Sequence, residues 1–304
     1  MDPLSEVLAL LDARGALSAR LVAGGRWCIN SPAYDGLRFG ALVRGACELQ
    51  VEGGQALKLR AGDCYLLTDG RPYRIGSDLS LAGVEMGVVL AQLVDGVAYC
   101  GTSPDLLLLG GRFVLDAANA PLLLDALAPV IHIPGGSDAA DVQRWIMERL
   151  ALELAGEEAG ASAMIGSLTH MMMVQILRQY LASGSAPVGW MAALQDARIG
   201  KVLRQMHALP MQRWTVDGLA SVAGMSRSAF AARFSKLVGT SPLDYLLRWR
   251  MRLAGQALQR TPASVGSIAF AHGYESEAAF SNAFKRVTGS SPRDFRGNSK
   301  GGRA

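Results

Sequence analysis

The sequence predicts an α+β protein: a small cupin-like β-barrel or sandwich, then two helices, then an all-α block with two helix-turn-helix motifs. Three observations predict this class. Short apolar runs separated by glycine turns fill the stretch from Trp27 to about Leu90. Apolar residues at helical spacing follow between 138 and 181. In the last third of the chain, one helical pattern occurs twice at an offset of 50 residues.

Composition supports two folded domains. The 304 residues are 50% hydrophobic and 18% charged, which excludes wholesale disorder. We expect domains at 1–185 and 195–300, joined by a Gly/Ser/Pro linker at 183–187. No apolar run approaches the ~18–20 residues of a membrane helix, and residues 1–6 lack a secretory-signal pattern. A cytoplasmic protein without a membrane partner is therefore expected.

The net charge of +4 conceals two oppositely charged blocks. Residues 1–194 hold 13 Lys and Arg against 20 Asp and Glu, a net charge of −7. Residues 195–304 hold 17 against 6, a net charge of +11. A basic block of this kind favours a polyanion as the partner of the C-terminal part. The alternative is a solvated basic face with no partner.

Four strands can be placed in the predicted barrel, at 39–43, 47–51, 56–59 and 64–67. Glycines at the intervening turns punctuate them. If the barrel holds an effector, inward-facing residues form its wall. The candidates are Trp27, Phe39, Cys47, Tyr65 and Tyr73. The alternative is that these side chains fill a solid core.

Two helices are expected after the barrel. Ser137 is placed to cap a helix over 138–155, and a second helix is expected over 160–181. A short connection makes the two antiparallel. Their apolar faces need a partner, which favours a homodimer formed through residues 137–182. Packing within one chain is the alternative.

The cysteines and histidines do not form a metal-binding pattern. The four cysteines, Cys28, Cys47, Cys64 and Cys100, form no CxxC motif. The four histidines lie outside the predicted strands; they are His132, His170, His207 and His272. No metal, cofactor or disulfide framework is therefore expected. A thiol-based redox response is an alternative, and it needs exposed thiols of low pKa. Buried free cysteine is the other interpretation.

The repeated pattern predicts helix-turn-helix motifs at about 215–238 and 265–288. Ser226 and Ser276 are placed to cap the second helix of each motif, and Gly239 and Gly289 to end it. Phenylalanines four residues apart face a core in both copies: Phe230 with Phe234, and Phe280 with Phe284.

A helix over 242–258 joins the two motifs. It measures roughly 25 Å, so it can hold two recognition helices near the ~34 Å that separates successive major grooves. Four arginines lie along it or just after it, where they either touch phosphates or are solvated: Arg248, Arg250, Arg252 and Arg260.

With the phenylalanines inward, the outward positions of the second helices are candidates for contacting DNA. Those placed for base edges are Arg227, Ser228, Ala231 and Ala232 in the first motif, and Glu277, Ala278, Ser281, Asn282 and Lys285 in the second. Those placed for phosphates are Arg233, Lys236 and Arg286. Arginine can pair with guanine and asparagine with adenine. Plain solvent exposure is the alternative for each.

These residues resemble the DNA-binding domain of AraC/XylS-type transcription regulators. The resemblance rests on Ala-x3-Gly-Met-Ser from Ala220 to Ser226, on two copies of Phe-x3-Phe and of Gly-x-Ser-Pro, and on the closing Asp294-Phe295-Arg296. It implies that the second helix of each motif lies in the major groove. The segment from Leu59 to Tyr73 is similar to a cupin, more narrowly to the cupin ligand domain of such regulators, without the histidines of metal-binding cupins.

The sequence and the resemblance together predict a non-enzymatic, DNA-binding transcription regulator with a cupin-like N-terminal domain. We expect it to bind double-stranded promoter DNA, to respond to an unknown small-molecule or chemical signal, and to contact RNA polymerase if it is an activator. One alternative is a thiol-based redox-responsive regulator. The other is a cupin dioxygenase or isomerase fused to a DNA-binding module.

Overall fold

A computed structural model of the protein describes residues 2–136, 140–156, 158–186 and 188–301. The chain divides into two compact units. They are named here after the roles expected from the sequence. The sensor unit spans residues 12–186, and the DNA-binding unit combines residues 2–11 with 188–301. Within the described ranges, no helix is both long and apolar enough to cross a membrane.

The sensor unit is built from two sheets. The larger contains β1 (Arg14–Gly24), β3 (Leu37–Arg44), β6 (Cys64–Leu67), β9 (Val97–Gly101), β10 (Leu106–Val114) and β11 (Val130–Ile133), in the order β11-β6-β3-β10-β1-β9. The smaller contains β2 (Cys28–Ser31), β4 (Ala46–Val51), β5 (Leu57–Arg60), β7 (Tyr73–Gly76) and β8 (Val84–Glu85), in the order β5-β4-β7-β2-β8.

The core of the sensor unit lies between the two sheets. Alternate side chains of each strand point inward, because successive residues of a strand face opposite sides. Leu42 pairs with Leu108 across β3 and β10, and Leu49 pairs with Ile75 across β4 and β7. All four are 5% exposed or less, as is Tyr65 on β6.

The sheets form a sandwich, which is one of the two arrangements expected from the sequence, and over the described part of the chain they do not close into a barrel. Among the described residues, no backbone pairing joins one sheet to the other. The edge strands are too short to close the corners: β8 has two residues, and β5 and β11 have four each.

The four predicted strands correspond to β3, β4, β5 and β6, but the two longest strands of the unit were missed. These are β1, with 11 residues, and β10, with 9. The expectation that no histidine lies in a strand was also wrong, since His132 belongs to β11. Its Nε2 lies 3.1 Å from Oδ2 of Asp63, and Oδ1 of Asp63 accepts the Gly135 N–H. His132 therefore ties β11 to the turn before β6.

Helices complete the sensor unit: α2 (Met86–Ala91), α3 (Ala120–Leu124), α4 (Ala140–Ala155) and α5 (Ala161–Ala182). The last two correspond to the predicted pair, although Ser137 and the expected start of α4 lie outside the described residues. They pack on each other and on the larger sheet, α4 against β3 and α5 against β1 and β11. A Cβ added to Gly15 would lie 2.1 Å from Cγ2 of Thr169, so α5 approaches β1 closely.

The apolar faces of α4 and α5 are thus largely covered within the chain. Met172 and Met173 are fully buried. One stripe of α4 is not covered: Val142, Trp145 and Leu152 are 52%, 54% and 63% exposed. The first two are three residues apart and the third is seven further on, so they lie along one side of the helix.

The DNA-binding unit is all helical. It contains α1 (Pro3–Leu10), α6 (Trp190–Ala193), α7 (Ile199–Ala208), α8 (Val216–Ala223), α9 (Arg227–Val238), α10 (Pro242–Arg260), α11 (Val265–Ala271), α12 (Glu277–Thr288) and α13 (Pro292–Gly301). The linker predicted at 183–187 follows α5; residues 183–186 are irregular or turn, and Pro187 lies outside the described residues.

The helix α1 lies outside the sensor unit, because residues 2–11 pack in the DNA-binding unit. Asp2 caps the helix by accepting the Ser5 N–H, with proline in the first turn. Leu4, Val7 and Leu8 are buried, and the helix contacts α7 and α10. The physical reason is that this short amphipathic helix buries its apolar side on the helical unit.

His207 of α7 joins α1 to α10. Its Nδ1 lies 3.2 Å from Oε2 of Glu6, its Nε2 lies 2.8 Å from the Tyr245 hydroxyl, and its ring stacks on Trp249 with centroids 4.2 Å apart. Burial lowers the pKa of His207 to about 4. A neutral imidazole that donates from Nδ1 to the Glu6 carboxylate and accepts at Nε2 satisfies all three groups.

Candidate nucleic-acid interface and sensor cavity

Both helix-turn-helix motifs form, and the same backbone hydrogen bond closes each turn, although the second turn is one residue longer, counted from the hydrogen-bonded alanine to the serine cap. After α8, the Met225 N–H donates to the Ala220 carbonyl at 3.0 Å; after α11, the Tyr274 N–H donates to the Ala269 carbonyl at 3.0 Å. Ala220 and Ala269 are 3% and 0% exposed. Small residues at these positions allow the two helices of each motif to pack closely at the turn.

The second helix of each motif begins and ends as the sequence predicts. Ser226 Oγ accepts the Ala229 N–H at 3.4 Å at the start of α9, and Ser276 Oγ accepts the Ala279 N–H at 3.2 Å at the start of α12. Gly239 and Gly289 follow the two helices with φ of 84° and 81°, the left-handed region that glycine adopts without strain.

The phenylalanine pairs fix which face of each helix points outward. Ring centroids are 5.7 Å apart for Phe230 and Phe234, and 5.5 Å apart for Phe280 and Phe284. All four side chains are fully buried. The first pair packs on Tyr245 of α10 and the second on Phe295 of α13.

The opposite faces of α9 and α12 carry the predicted DNA-contacting residues. Ten of the twelve are exposed: Arg227, Ser228, Ala232, Arg233, Lys236, Glu277, Ala278, Asn282, Lys285 and Arg286. The other two, Ala231 and Ser281, are half-buried. The two helices thus present polar and basic side chains on the faces turned away from their cores.

Three of these side chains already have partners within the DNA-binding unit. Arg227 Nη1 lies 3.3 Å from Oδ2 of Asp217, and Glu277 pairs with Arg293 at 3.7 Å. Arg233 Nε donates to Oδ2 of Asp196 at 3.0 Å. Contacts to DNA by these groups would require the ion pairs to be exchanged or shared.

The arginines of α10 have different partners. Arg248 pairs with Asp244 one turn earlier, at 2.7 Å. The half-buried Arg250 donates to the carbonyls of Pro210 and Gln212, so it holds the loop after α7. Neither of the expected roles, phosphate contact or plain solvation, describes Arg250.

The sensor unit contains a cavity of about 330 Å³ between its sheets. Three of the five predicted effector residues line it: Phe39, Tyr65 and Tyr73. Trp27 and Cys47 are not among the residues that line it, and both are buried in the core.

Two lining residues were missed by the sequence analysis, Arg38 on β3 and Arg112 on β10. The two residues are direct partners in the β3–β10 pairing. Alternation within β3 could have placed Arg38 on the same face as Leu42, two pairs further along. Arg112 lies on a strand that the sequence analysis did not identify, so the pair could not be anticipated.

Three of the four cysteines lack the surroundings of reactive thiols. Cys28, Cys47 and Cys64 are buried, and Cys100 is partly buried. Burial raises the pKa of Cys47 to about 12 and also raises the pKa of Cys64 and Cys100. Because the thiolate is the reactive form, these shifts weigh against a redox role of those three. Cys28 differs, since its Sγ accepts a hydrogen bond from Arg74 Nη2 at 3.4 Å. Within the described residues, no three Cys, His, Asp or Glu side chains converge to form a metal site.

Comparisons with known proteins match both units. A cupin family model matches residues 2–182, and a helix-turn-helix domain model matches residues 219–298. A putative AraC-like transcription regulator of Streptomyces lividans is 42% identical over 298 residues, covering 97% of this chain and 98% of that protein. The HTH-type transcriptional regulator AlkR of Acinetobacter baylyi is 28% identical over 304 residues, covering 97% and 99%.

Among solved structures, the DNA-binding domain of AdpA, determined in complex with a target DNA, is similar to the C-terminal part. It is 31% identical over 35% of this chain and 96% of that chain, with a TM-score of 0.33.

Proposed function

The chain belongs to the AraC-like transcription regulators, with a cupin domain followed by a DNA-binding helix-turn-helix domain, and we propose that it reads promoter DNA through α9 and α12. One observation carries the proposal. Two serine-capped helices expose polar and basic faces, on the part of the chain whose net charge is +11. Helices of this kind enter the major groove with the N-terminal part towards the bases.

The exposed side chains divide into two roles. Arg227 and Asn282 can each make two hydrogen bonds to a base edge, to guanine and adenine respectively. Lys236 and Arg286 supply positive charge along the same helices and are placed for phosphates. Arg233 joins them if its bond to Asp196 is released.

A binding titration tests this function. The full chain is titrated against duplex DNA from the region upstream of its own gene, over a series of salt concentrations. Affinity should fall steeply with salt, because each neutralised phosphate contributes about −0.9 to the slope of log K against log salt. Lys236→Ala should reduce that slope by about one, whereas Lys58→Ala on the exposed side of β5 should not change it. A slope near zero would contradict the proposal.

We infer further that the sensor unit regulates this DNA binding by taking an effector into its cavity. Phe39, Tyr65 and Tyr73 supply aromatic surface there, and pockets of ~300–1,000 Å³ hold small ligands. No catalytic role is assigned to the cupin domain, since the relatives are named as transcription regulators. If the chain activates transcription, RNA polymerase is the expected partner.

The exposed stripe of α4 supports the proposed homodimer. Val142, Trp145 and Leu152 form an apolar face that a second copy of the chain can cover. Trp145→Glu should shift the protein to a monomer in analytical ultracentrifugation. Tyr99→Glu, at an exposed residue of β9, is the matched control and should leave the mass unchanged. A wild-type chain that sediments as a monomer at all concentrations would contradict this part.

A further inference from the structure

The central strands of the larger sheet carry three unusual cross-strand pairs. Along the inner face, Arg38 pairs with Arg112, Gly40 with Gly110, and Leu42 with Leu108. Alternate pairs share one face, so the arginine, glycine and leucine pairs lie in a row along it.

The arginine pair places two positive charges opposite each other. Like charges at directly paired positions of antiparallel strands destabilise a sheet. Arg38 stacks over the ring of Tyr34, with its guanidinium carbon 4.9 Å from the ring centroid. Within the part of the chain that the structure describes, neither arginine makes an ion pair with a carboxylate. None of the described lining residues is acidic.

The two glycines differ in the space beside them: the position over Gly40 is occupied and the position over Gly110 is open. The ring of Tyr65 lies over Gly40, where an added Cβ would be 2.2 Å from the ring. At Gly110 the nearest atom to an added Cβ is the Ala19 carbonyl oxygen, 3.9 Å away, so that position opens onto free space. Glycine inside a strand is costly unless something else approaches the backbone closely.

The remainder of the cavity is apolar. Beyond the glycines it is lined by Ile29, Met86, Val89 and Leu108. Its volume of about 330 Å³ corresponds to that of about eleven liquid water molecules, at roughly 30 Å³ each. A ligand of about ten non-hydrogen atoms therefore fits.

From this row of pairs we propose that the cavity binds a small organic carboxylate with an apolar body. The carboxylate lies between Arg38 and Arg112, whose planar guanidinium groups match its two oxygens. The body passes over Gly110, beside the Tyr65 ring, and ends against Leu108. The inference rests on the proposed effector-binding function of the sensor unit and names the chemical class of its ligand.

Thermal shift and calorimetry on the full chain test the proposal with benzoate, phenylacetate and hexanoate. Benzamide is the neutral match for benzoate, and inorganic phosphate is an anion without an apolar body. We expect at least one carboxylate to raise the melting temperature, and benzamide and phosphate not to. Arg112→Gln should weaken the carboxylate at least about tenfold, because a charge-assisted hydrogen bond is lost. Arg60→Gln, an exposed arginine at the end of β5, is the matched control.

Two variants keep the test independent of the choice of probe. Without ligand, Arg112→Gln should melt at the same temperature as the wild type or higher at low salt, because a like-charge pair is removed. Gly110→Leu should fill the cavity, keep the fold by circular dichroism and abolish carboxylate binding.

The proposal is overturned if no carboxylate binds, if benzamide and benzoate bind equally, or if Arg112→Gln retains full affinity. Strong binding of phosphate alone would also overturn it, in favour of a phosphate ligand. DNA affinity measured on the same preparations keeps the two questions apart. Unchanged DNA binding with no carboxylate response refutes the ligand class only, whereas loss of salt-dependent DNA binding refutes the proposed function.

Discussion

The two helix-turn-helix motifs share the same capping and buried residues but differ in the side chains on their exposed faces. Both have a serine cap, a buried phenylalanine pair and a left-handed glycine after the helix. On the outer face, the first motif has Ala231 and Ala232 where the second has Ser281 and Asn282. The inner positions are fixed by packing and capping, so the two faces can differ in what they contact. The comparison suggests that the second motif makes more of the base contacts and the first more of the positioning contacts.

The largest expected effect tests the shared interior. Phe234→Ala and Phe284→Ala should each destabilise the DNA-binding unit by about 3–5 kcal/mol, since both side chains are fully buried. Urea titrations followed by tryptophan fluorescence measure the loss. Phe270→Ala is the matched control, because that ring is 63% exposed, and it should stay within about 0.5 kcal/mol of the wild type. A large difference between the first two variants would break the equivalence of the motifs.

The stability of the DNA-binding unit should depend on pH through two histidines, one beside each motif. The pKa of His207, in α7 before the first motif, is lowered by burial to about 4 from an ordinary value of 6.5. The unfolded chain therefore takes up a proton first, and stability is lost as pH falls from 6.5 towards 4, by roughly 3 kcal/mol in total. Burial also lowers the pKa of His272, in the turn of the second motif, so its effect has the same sign.

Melting temperatures measured against pH separate the two histidines. His207→Gln should reduce the fall of the melting temperature between pH 6.5 and 4, whatever its effect on stability at neutral pH. His272→Gln is the comparison for the second motif. An acid slope that His207→Gln leaves unchanged would show that other groups carry the acid sensitivity.

The outward faces should differ in base reading. Asn282→Ala should cost about 1–3 kcal/mol of binding to the specific sequence and relax the preference at one base pair. Ser228→Ala in the first motif should cost less, because a hydroxyl makes no bidentate contact. Fluorescence anisotropy against a panel of single-base DNA variants measures both. Equal losses would mean that the first motif reads bases as well as the second.

The smallest effects concern the caps. Ser226→Ala and Ser276→Ala should each destabilise the unit by about 1 kcal/mol, and Ser→Asp should restore the stability at both positions. Ser235→Ala, at an exposed position inside α9, should be neutral or slightly stabilising, because alanine favours helix. Thermal unfolding of the variants checks this. If the two serine-to-alanine variants lose different amounts of stability, the motif that loses more depends more strongly on its N-cap.

The DNA-binding unit was predictable because its signals are local. Ser226, Gly239 and the phenylalanine spacing lie within one helix length, and each fixes its element without reference to the rest of the chain. The residues facing outward on α9 and α12 follow from that spacing. What could not be foreseen was the ion pair of Arg233 with Asp196, 37 residues away, or the use of Arg250 as a support for a loop.

The sensor unit was less predictable because its decisive contacts are non-local. β1 pairs with β10 about 90 residues later, and both strands lie in the interior of the sheet with few polar alternations. Without β10, the opposition of Arg38 and Arg112 has no sequence signature. The short helix α1 did carry a signal, the Asp-Pro start followed by leucines at helical spacing.

That helix makes the DNA-binding unit discontinuous along the chain. A fragment cut at the 183–187 linker would leave behind the leucines that cover α7 and α10, together with the Glu6 partner of His207. Such a fragment should be less stable than the same unit with α1 restored by fusion or added as a peptide. Exchange of sensor domains between regulators of this design therefore requires two crossover points, and a single splice in the linker would separate parts that share one core.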